Sequence, residues 1–270
     1  MKRSIFHYCV EEISPFIDWS YLLHAWGLDD TKHPTRAKEI ISEAKEILHA
    51  AGKSRCVHAL FALCDATGSN DDIIIENMRL PLLRQQHSTE GKPNLCLSDY
   101  VSPRGDKIGL FATSVESTFG SEYNNDEYKN ILARMLADRL AEAAATLMHR
   151  TVRTQEEYWG YTPHESLTIE ELNREEYQGI RPAVGYPSLP DQSIIFIIDK
   201  ILKLNSIGIE LTPNGAMFPH SSVCGIMLAH HAAKYFGVGE ISKEQFLDYS
   251  ERRGLPAKEL EKFLKRNVQE

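Results

Sequence analysis

Residues 55–64, RCVHALFALC, begin the part of the chain that decides the fold. Three more segments of strand-like composition follow: DDIIIEN (71–77), LCLSDYV (95–101) and KIGLFATSV (107–115). The connections between them hold Gly, Asn, Asp and Pro, which are the usual residues of turns. Because neighbouring antiparallel strands need only short connections, this stretch predicts hairpin-like pairing.

Apolar residues recur at helical spacing on both sides of these strands, and most clearly over residues 124–153. Other helices are predicted to begin at residue 16, after Thr168, after Ser242 and at Pro256, and to span residues 35–51 and 194–204. Thr168 and Glu171 are predicted to form a capping box. Further strands are predicted over residues 207–212, 222–230 and 234–241. This order favours an α+β fold over a doubly wound parallel sheet. We expect a single domain, residues 1–270, with a mostly antiparallel, curved sheet flanked by helices.

The composition excludes several classes of protein. The 270 residues carry a formal net charge of −8, and no run of basic residues is long enough to bind a nucleic-acid backbone. No segment reaches the roughly 18 apolar residues of a membrane span, and the N-terminus lacks the apolar core of a signal peptide. The five cysteines form no CxxC pair, so reduced thiols and a cytoplasmic location are expected.

Common catalytic and metal-binding motifs are absent. The sequence holds no GxGxxG after a strand, no GxxxxGK[ST], no GxSxG and no HExxH. His220, His230 and His231 suggest a metal, but adjacent residues in a strand point to opposite faces of the sheet. No nearby Cys or carboxylate has ligand spacing, so we expect no metal site.

Two acidic positions have more than one interpretation. Asp18 follows Ile17 at the start of an apolar helix, and is either an N-cap or a carboxylate at a pocket wall. Asp138 and Glu142 lie one helical turn apart beside Arg139. For that pair, a solvated face with helix ion pairs is favoured over a catalytic pair of carboxylates.

The segment GIRPAVGYP (179–187) is the most unusual in the chain. Its prolines lack the backbone donor that helix interiors and central strands need, so it predicts a stiff loop. The loop presents Arg181 and Tyr186, which suit an anionic or zwitterionic ligand. Tyr235 and Phe236 are either ordinary strand aromatics or further residues lining a cleft.

This loop lies within YWGYTPHESLTIEELNREEYQGIRPAVGYPSLPDQ (158–192), which resembles the signature of the activation domain of vitamin B12-dependent methionine synthase. The resemblance is strongest from about residue 14 to 265, and it includes FIDWSYLLHAWGL (16–28), DEYKNILARMLADRLAEA (126–143), IGIELTPNGAMFPHSSVCG (207–225) and KYFGVGEIS (234–242). It implies the fold of that domain and binding of S-adenosylmethionine. It also implies a role in the reductive methylation that returns cob(II)alamin to methylcobalamin.

The resemblance also implies a set of binding residues. A guanidinium suits the carboxylate of S-adenosylmethionine, a carboxylate suits its ammonium, and a proline-stiffened loop suits adenine or ribose. No catalytic side chain is expected, because the methyl group of the donor is already activated. The implied residues are Asp18, Arg181, Ala183, Gly185, Tyr186, Tyr235 and Phe236, with Glu142 and Glu175 as a second tier near the methionyl or sulfonium end; Phe236 replaces a tyrosine that is common in the family.

The corrinoid is expected to come from a partner protein. The chain holds no DxHxxG motif, which supplies the cobalt-ligating histidine in the cobalamin module of the family enzyme. We expect a free-standing chain that acts on the cobalamin-binding module of a separate methionine synthase or another corrinoid protein, with a flavodoxin-like electron donor. The alternative is a non-catalytic S-adenosylmethionine-sensing or scaffold protein for another corrinoid protein.

Residues 216–225, AMFPHSSVCG, depart from the AMWPGASVSG that is frequent in the family. The changes at Phe218, Ser221 and Cys224 alter residues that the resemblance places near the corrinoid. Cys224 is expected to be a small strand residue rather than a reactive thiol.

Overall fold

The computed structural model describes residues 1–28, 31–88, 91–264 and 267–268. Its strands are β1 (Lys2–Tyr8), β2 (Val57–Ser69), β3 (Asp72–Ile75), β4 (Met78–Pro81), β5 (Asp106–Val115), β6 (Glu210–Leu211), β7 (Met217–Phe218) and β8 (Ser222–Met227). Its helices are α1 (Val10–Ile13), α2 (Trp19–Ala25), α3 (Pro34–Ala50), α4 (Glu127–Thr154), α5 (Ile169–Asn173), α6 (Ile195–Leu202), α7 (Lys243–Arg253) and α8 (Ala257–Leu264). None of the described helices is long and apolar enough to cross a membrane.

The main sheet is antiparallel throughout and has the strand order β4-β3-β2-β5-β8. The long strand β2 organises it, because its first half pairs with β1 and its last residues pair with β3 along the same edge. Strand β5 pairs along the other edge of β2, with Phe61 opposite Phe111. The predicted α+β class with a curved, mostly antiparallel sheet is confirmed.

Alternate residues of β2 face two different apolar layers, as the pleat of a strand requires. Leu60 and Ala62 face the layer that contains α6. Ala59 and Phe61 face the layer that contains α3 and the 28-residue helix α4. The sheet is therefore buried on both faces, and α4 crosses the face that leads to the site described below.

Three predicted strands are irregular or shortened. Residues 97–100 form a 3-10 turn, in which the Asp99 carboxylate accepts the backbone N–H of Cys96 (2.8 Å). Residues 234–240 form no strand, because their backbone groups bond to a distant loop: the N–H of Val238 donates to the Pro187 carbonyl (2.9 Å). Only Glu210–Leu211 of the predicted strand 207–212 is extended and paired. Strand β1 was not predicted.

Candidate ligand-binding site

A cleft of about 650 Å³ opens between the start of α2, helix α4, the 179–187 loop and residues 235–236. Of the nine residues singled out from the sequence, all except Gly185 line it. The eight are Asp18, Glu142, Glu175, Arg181, Ala183, Tyr186, Tyr235 and Phe236. They come from five separate parts of the chain, so the fold brings the predicted residues together.

The loop that carries Arg181 lies along the free edge of β8. Ile180 and Leu228 exchange two backbone hydrogen bonds of 2.9 Å each, and the Val184 N–H donates to the Cys224 carbonyl (2.9 Å). Between these contacts the Pro182 carbonyl accepts the N–H of Ile226 (3.0 Å). Pro182 has no N–H to return to Ile226, so this position keeps one of its two ladder hydrogen bonds, a loss that is tolerated at the edge of a sheet.

Two glycines allow this loop geometry. A Cβ atom on Gly225 of β8 would lie 2.2 Å from the Pro182 carbonyl oxygen and 2.8 Å from the Cα of Ala183. Gly185 has a φ of +85°, and its Cβ would meet the side chain of Gln192 at 2.5 Å. Gly185 therefore shapes the turn, and it is the one predicted residue that does not line the cleft.

Arg181 is held mainly by helix α4. Its Nη2 donates to the Thr146 hydroxyl (2.8 Å), and its Nη1 lies 3.6 Å from a Glu142 carboxylate oxygen. Its Nε is buried and has no hydrogen-bond partner among the described residues. The guanidinium is thus oriented by α4 and charged, and it belongs to a residue that lines the cleft.

Glu142 contacts the loop rather than its own helix, so the predicted solvated ion-pair face is wrong at this position. Its carboxylate accepts the hydroxyl of Tyr186 (2.9 Å). Burial and the Glu142 charge raise the pKa of Tyr186 to about 12, which keeps the phenol protonated as a donor. Asp138, one turn earlier, instead accepts the hydroxyl of Ser221 (2.7 Å).

Asp18 fits both interpretations given from the sequence. Its Oδ1 accepts the backbone N–H (2.9 Å) and the hydroxyl (2.6 Å) of Ser20, so the N-cap of α2 is confirmed. The same residue lines the cleft. The cap therefore fixes the position of a carboxylate that lines the cleft.

Glu175 is the strained member of the site. Its φ is +58°, in the left-handed region that a non-glycine residue rarely adopts, and such strain is concentrated at functional sites. Burial raises the pKa of its carboxyl group, although the charge of Arg181 opposes the shift. The carboxylate is therefore in a place where a cationic group would stabilise its ionised form.

Tyr235 and Phe236 are joined to the loop by hydrogen bonds. The Tyr235 hydroxyl accepts the backbone N–H of Arg181 (2.9 Å), and burial raises the pKa of this phenol above its usual range. The Ser188 hydroxyl donates to the Phe236 carbonyl and accepts the Phe236 N–H (3.2 Å). Sequence reasoning singled out neither Ser188 nor Thr146, because both contact residues far away in the chain.

The histidine and cysteine predictions have different outcomes. His230 and His231 do not point to opposite faces: they follow β8 in irregular chain, and their rings stack at 4.5 Å. The described residues contain no group of three or more His, Cys, Asp or Glu side chains arranged to hold a metal. Cys224 lies buried in β8, and burial raises the pKa of its thiol, so the prediction of a small strand residue is confirmed.

Comparison with known proteins is consistent across sequence and structure. A family model described as "Vitamin B12 dependent methionine synthase, activation domain" matches residues 9–254. A crystal structure of the MetH reactivation domain bound to AdoHcy is similar with a TM-score of 0.92 and 32% sequence identity. That match covers 100% of this chain and 91% of the other chain, so it includes every element of the cleft.

Proposed function

The chain belongs to the family of vitamin B12-dependent methionine synthase activation domains, and from this premise we propose that its cleft binds S-adenosylmethionine. The observation that carries the proposal is Arg181, an oriented guanidinium whose buried Nε has no partner among the described residues. The similar reactivation domain holds AdoHcy, which is S-adenosylmethionine without its transferable methyl group.

Each part of the ligand has a matching group in the cleft. We assign the carboxylate to Arg181, which can bind it through two parallel N–H donors, and the ammonium to Asp18. Glu142 and Glu175 are assigned to the sulfonium end, where their negative charges would balance the positive charge of the sulfonium.

The remaining predicted residues are assigned to the nucleoside. Ala183 and Tyr186 would contact it from the loop, with Gly185 holding the turn, and Tyr235 and Phe236 would contact it from the facing segment. Because β8 and Ser188 already hold these segments in place, little conformational entropy is lost on binding.

The proposed reaction is reductive methylation of cob(II)alamin to methylcobalamin on a cobalamin-binding module. S-adenosylmethionine supplies an activated methyl group, so the task of this chain is to orient that group rather than to transfer protons. The 270 residues hold no DxHxxG motif. We therefore propose that a module outside them, in a separate methionine synthase or another corrinoid protein, carries the cobalamin. A flavodoxin-like protein is the proposed electron donor.

Two measurements test this function in sequence. Calorimetry should first show binding of S-adenosylmethionine at a ratio of one per chain; absence of heat and of any thermal shift would contradict the proposal. Mixing the chain with a cobalamin-binding module, a reductant and methyl-labelled S-adenosylmethionine should then give labelled methylcobalamin. Binding without label transfer would favour the second candidate, a sensing or scaffold protein, which the same cleft would also serve.

The variant Asp18→Asn tests separately the two roles of Asp18, as the N-cap of α2 and as the proposed partner of the ligand ammonium. Asparagine caps helices about as well as aspartate, so the free energy of unfolding should change by less than about 0.5 kcal/mol. Loss of the charge opposite the ammonium should weaken S-adenosylmethionine binding roughly tenfold, which corresponds to about 1.4 kcal/mol. Thermal unfolding and calorimetry measure the two effects independently.

Asp126 provides a matched control for this substitution. Its side chain caps α4 by accepting the N–H of Lys129 (3.1 Å), and it does not line the cleft. Asp126→Asn should leave both stability and S-adenosylmethionine affinity nearly unchanged. Equal affinity in Asp18→Asn and the natural protein would remove Asp18 from the proposed ammonium site.

Binding should also release protons at mildly acidic pH. Burial raises the pKa of Glu175 above its usual 4.5, and a nearby sulfonium would favour the ionised form and lower that pKa again. Between the bound and free pKa values, binding expels a proton, so the affinity weakens as pH falls through this range. Calorimetry at mildly acidic pH in buffers of different ionisation enthalpy should detect the release, and Glu175→Gln should abolish it. A buffer-independent heat in the natural protein would contradict this assignment.

A further inference from the structure

A polar face of helix α4 follows the loop that carries Arg181. It consists of Glu142, Thr146, His149 and Arg153, whose spacing of three or four residues places them on one side of the helix. Arg181 and Tyr186 contact the first two of these residues, as described above. His149 and Arg153 contact Tyr177, which precedes the loop. The segment from Tyr177 to Tyr186 therefore runs antiparallel to α4 and contacts it at both ends.

Tyr177 lies between two immobilised side chains. The guanidinium carbon of Arg153 is 4.2 Å from the centre of the Tyr177 ring, and His149 meets the ring edge-on with centroids 4.9 Å apart. Arg153 is fully buried, and its Nε and Nη2 donate to the carboxylate of Glu165 at 3.0 and 2.5 Å. His149 is also fully buried and hydrogen-bonded to the Tyr161 hydroxyl (3.0 Å).

The segment between Tyr177 and Arg181 is held closely against residues 228–229. The Gln178 side chain donates to the Ala229 carbonyl (2.8 Å), and Ile180 exchanges hydrogen bonds with Leu228. Gly179 passes so close that a Cβ would lie 2.5 Å from the Leu228 carbonyl oxygen. This anchored segment therefore fixes the Tyr177 ring and the Arg181 backbone relative to each other.

Buried polar atoms without partners are concentrated in this region. Among the described residues, such side-chain atoms are Nδ1 of His149, Nη1 of Arg153, the hydroxyl of Tyr177 and Nε of Arg181, with the hydroxyls of Tyr8 and Tyr100 elsewhere. Unpaired buried polar groups are rare in folded proteins and cost stability. Four of these six atoms belong to Tyr177, the two residues it packs between and Arg181, so the packing here is not that of a maximally stable core.

We propose that Tyr177, which packs between Arg153 and His149, is the positioning residue that fixes the position of the Arg181 guanidinium. The inference rests on the proposed function, in which Arg181 binds the ligand carboxylate. The aromatic ring makes these contacts, whereas its hydroxyl makes no hydrogen bond. The ring is therefore the part of Tyr177 that holds the segment leading to Arg181.

The test compares S-adenosylmethionine with its decarboxylated analogue by calorimetry. The natural protein should bind S-adenosylmethionine at least tenfold more tightly, and Arg181→Ala should reduce that preference to about one. Tyr177→Leu, which removes the ring, should reduce the preference at least fivefold. Tyr177→Phe, which keeps the ring, should retain it within twofold.

Phe61→Leu is the matched structural control, since Phe61 is a buried aromatic of the sheet core. It should lower the melting temperature and leave the ligand preference unchanged. If Tyr177→Leu does not fold, Arg153→Lys keeps the charge but loses the planar group against the ring, and should reduce the preference at least threefold.

The outcomes separate failure of the inference from failure of the proposed function. A natural protein without preference for the carboxylate would overturn the assignment of Arg181, and with it the proposed arrangement of the ligand. A natural protein with the preference, unchanged in Tyr177→Leu or in Arg153→Lys, would overturn the positioning role alone. Loss of preference in Tyr177→Phe would assign the effect to the hydroxyl and would overturn the ring-contact explanation.

Discussion

Arg181→Ala should weaken S-adenosylmethionine binding about a hundredfold. A hydrogen bond to a charged group contributes roughly 1.5–3 kcal/mol, and each 1.4 kcal/mol is a factor of ten in affinity. The substitution removes a guanidinium that α4 already orients through Thr146, so the ligand carboxylate would lose its proposed partner and remain desolvated. Calorimetry of the purified variant measures the change directly.

Arg174→Ala controls for the loss of a positive charge from the same cleft. Arg174 lines the cleft but is exposed and pairs with Glu176, with Nε and a carboxylate oxygen 2.7 Å apart. Because exposed ion pairs contribute little, its removal should change affinity less than about threefold. Similar losses in the two variants would mean that Arg181 acts only through net charge, and no loss in Arg181→Ala would reject it as the carboxylate partner.

Gly225→Ala should cause the largest loss of stability among the substitutions considered for this chain. The added Cβ would meet the Pro182 carbonyl oxygen at 2.2 Å, and both atoms belong to a paired backbone that has no free side chain to move. Forcing extra volume into a packed site costs about 1–3 kcal/mol, and we expect the upper end of that range. The melting temperature should fall by roughly 6–10 °C, and S-adenosylmethionine affinity should fall because the displaced loop carries Arg181.

Gly237→Ala is the corresponding control. A Cβ on Gly237 would meet the loop only at the Pro187 Cβ, 3.6 Å away, which is an ordinary van der Waals distance. This variant should melt within about 2 °C of the natural protein and should bind the ligand normally. A Gly225→Ala protein with the same two properties would show that the loop does not depend on close approach to β8.

The sheet and the long helix were predictable because their residues carry the information locally. In β2 and α4 the apolar residues repeat with the period of the element, and packing on the two sheet faces follows that period. Residues 234–240 have strand-like composition, yet their hydrogen bonds go to the 179–187 loop and to Ser188. Composition alone does not show a partner 48 residues away.

The grouping of these residues around one cleft was predictable through the family resemblance and only partly through physical reasoning from the residues. The stiff loop and its arginine stood out because prolines and a guanidinium are unusual together. Glu142 was expected to pair within its helix, because the loop that supplies its actual partners follows much later in the chain. Thr146 and Tyr177 were not singled out, since each is an ordinary residue until the fold places it against Arg181 or Arg153.

The pairing of residues 180–184 with β8 has a consequence for solubility. This segment covers a sheet edge whose exposed donors and acceptors would otherwise be free to recruit another strand, the usual first step of aggregation. The loop that carries Arg181 therefore also protects that edge from pairing with another strand. Substitutions that detach the loop, such as Gly225→Ala, should expose an aggregation-prone strand and also disturb the site. Light scattering on heating should therefore show more aggregation in Gly225→Ala than in Arg181→Ala.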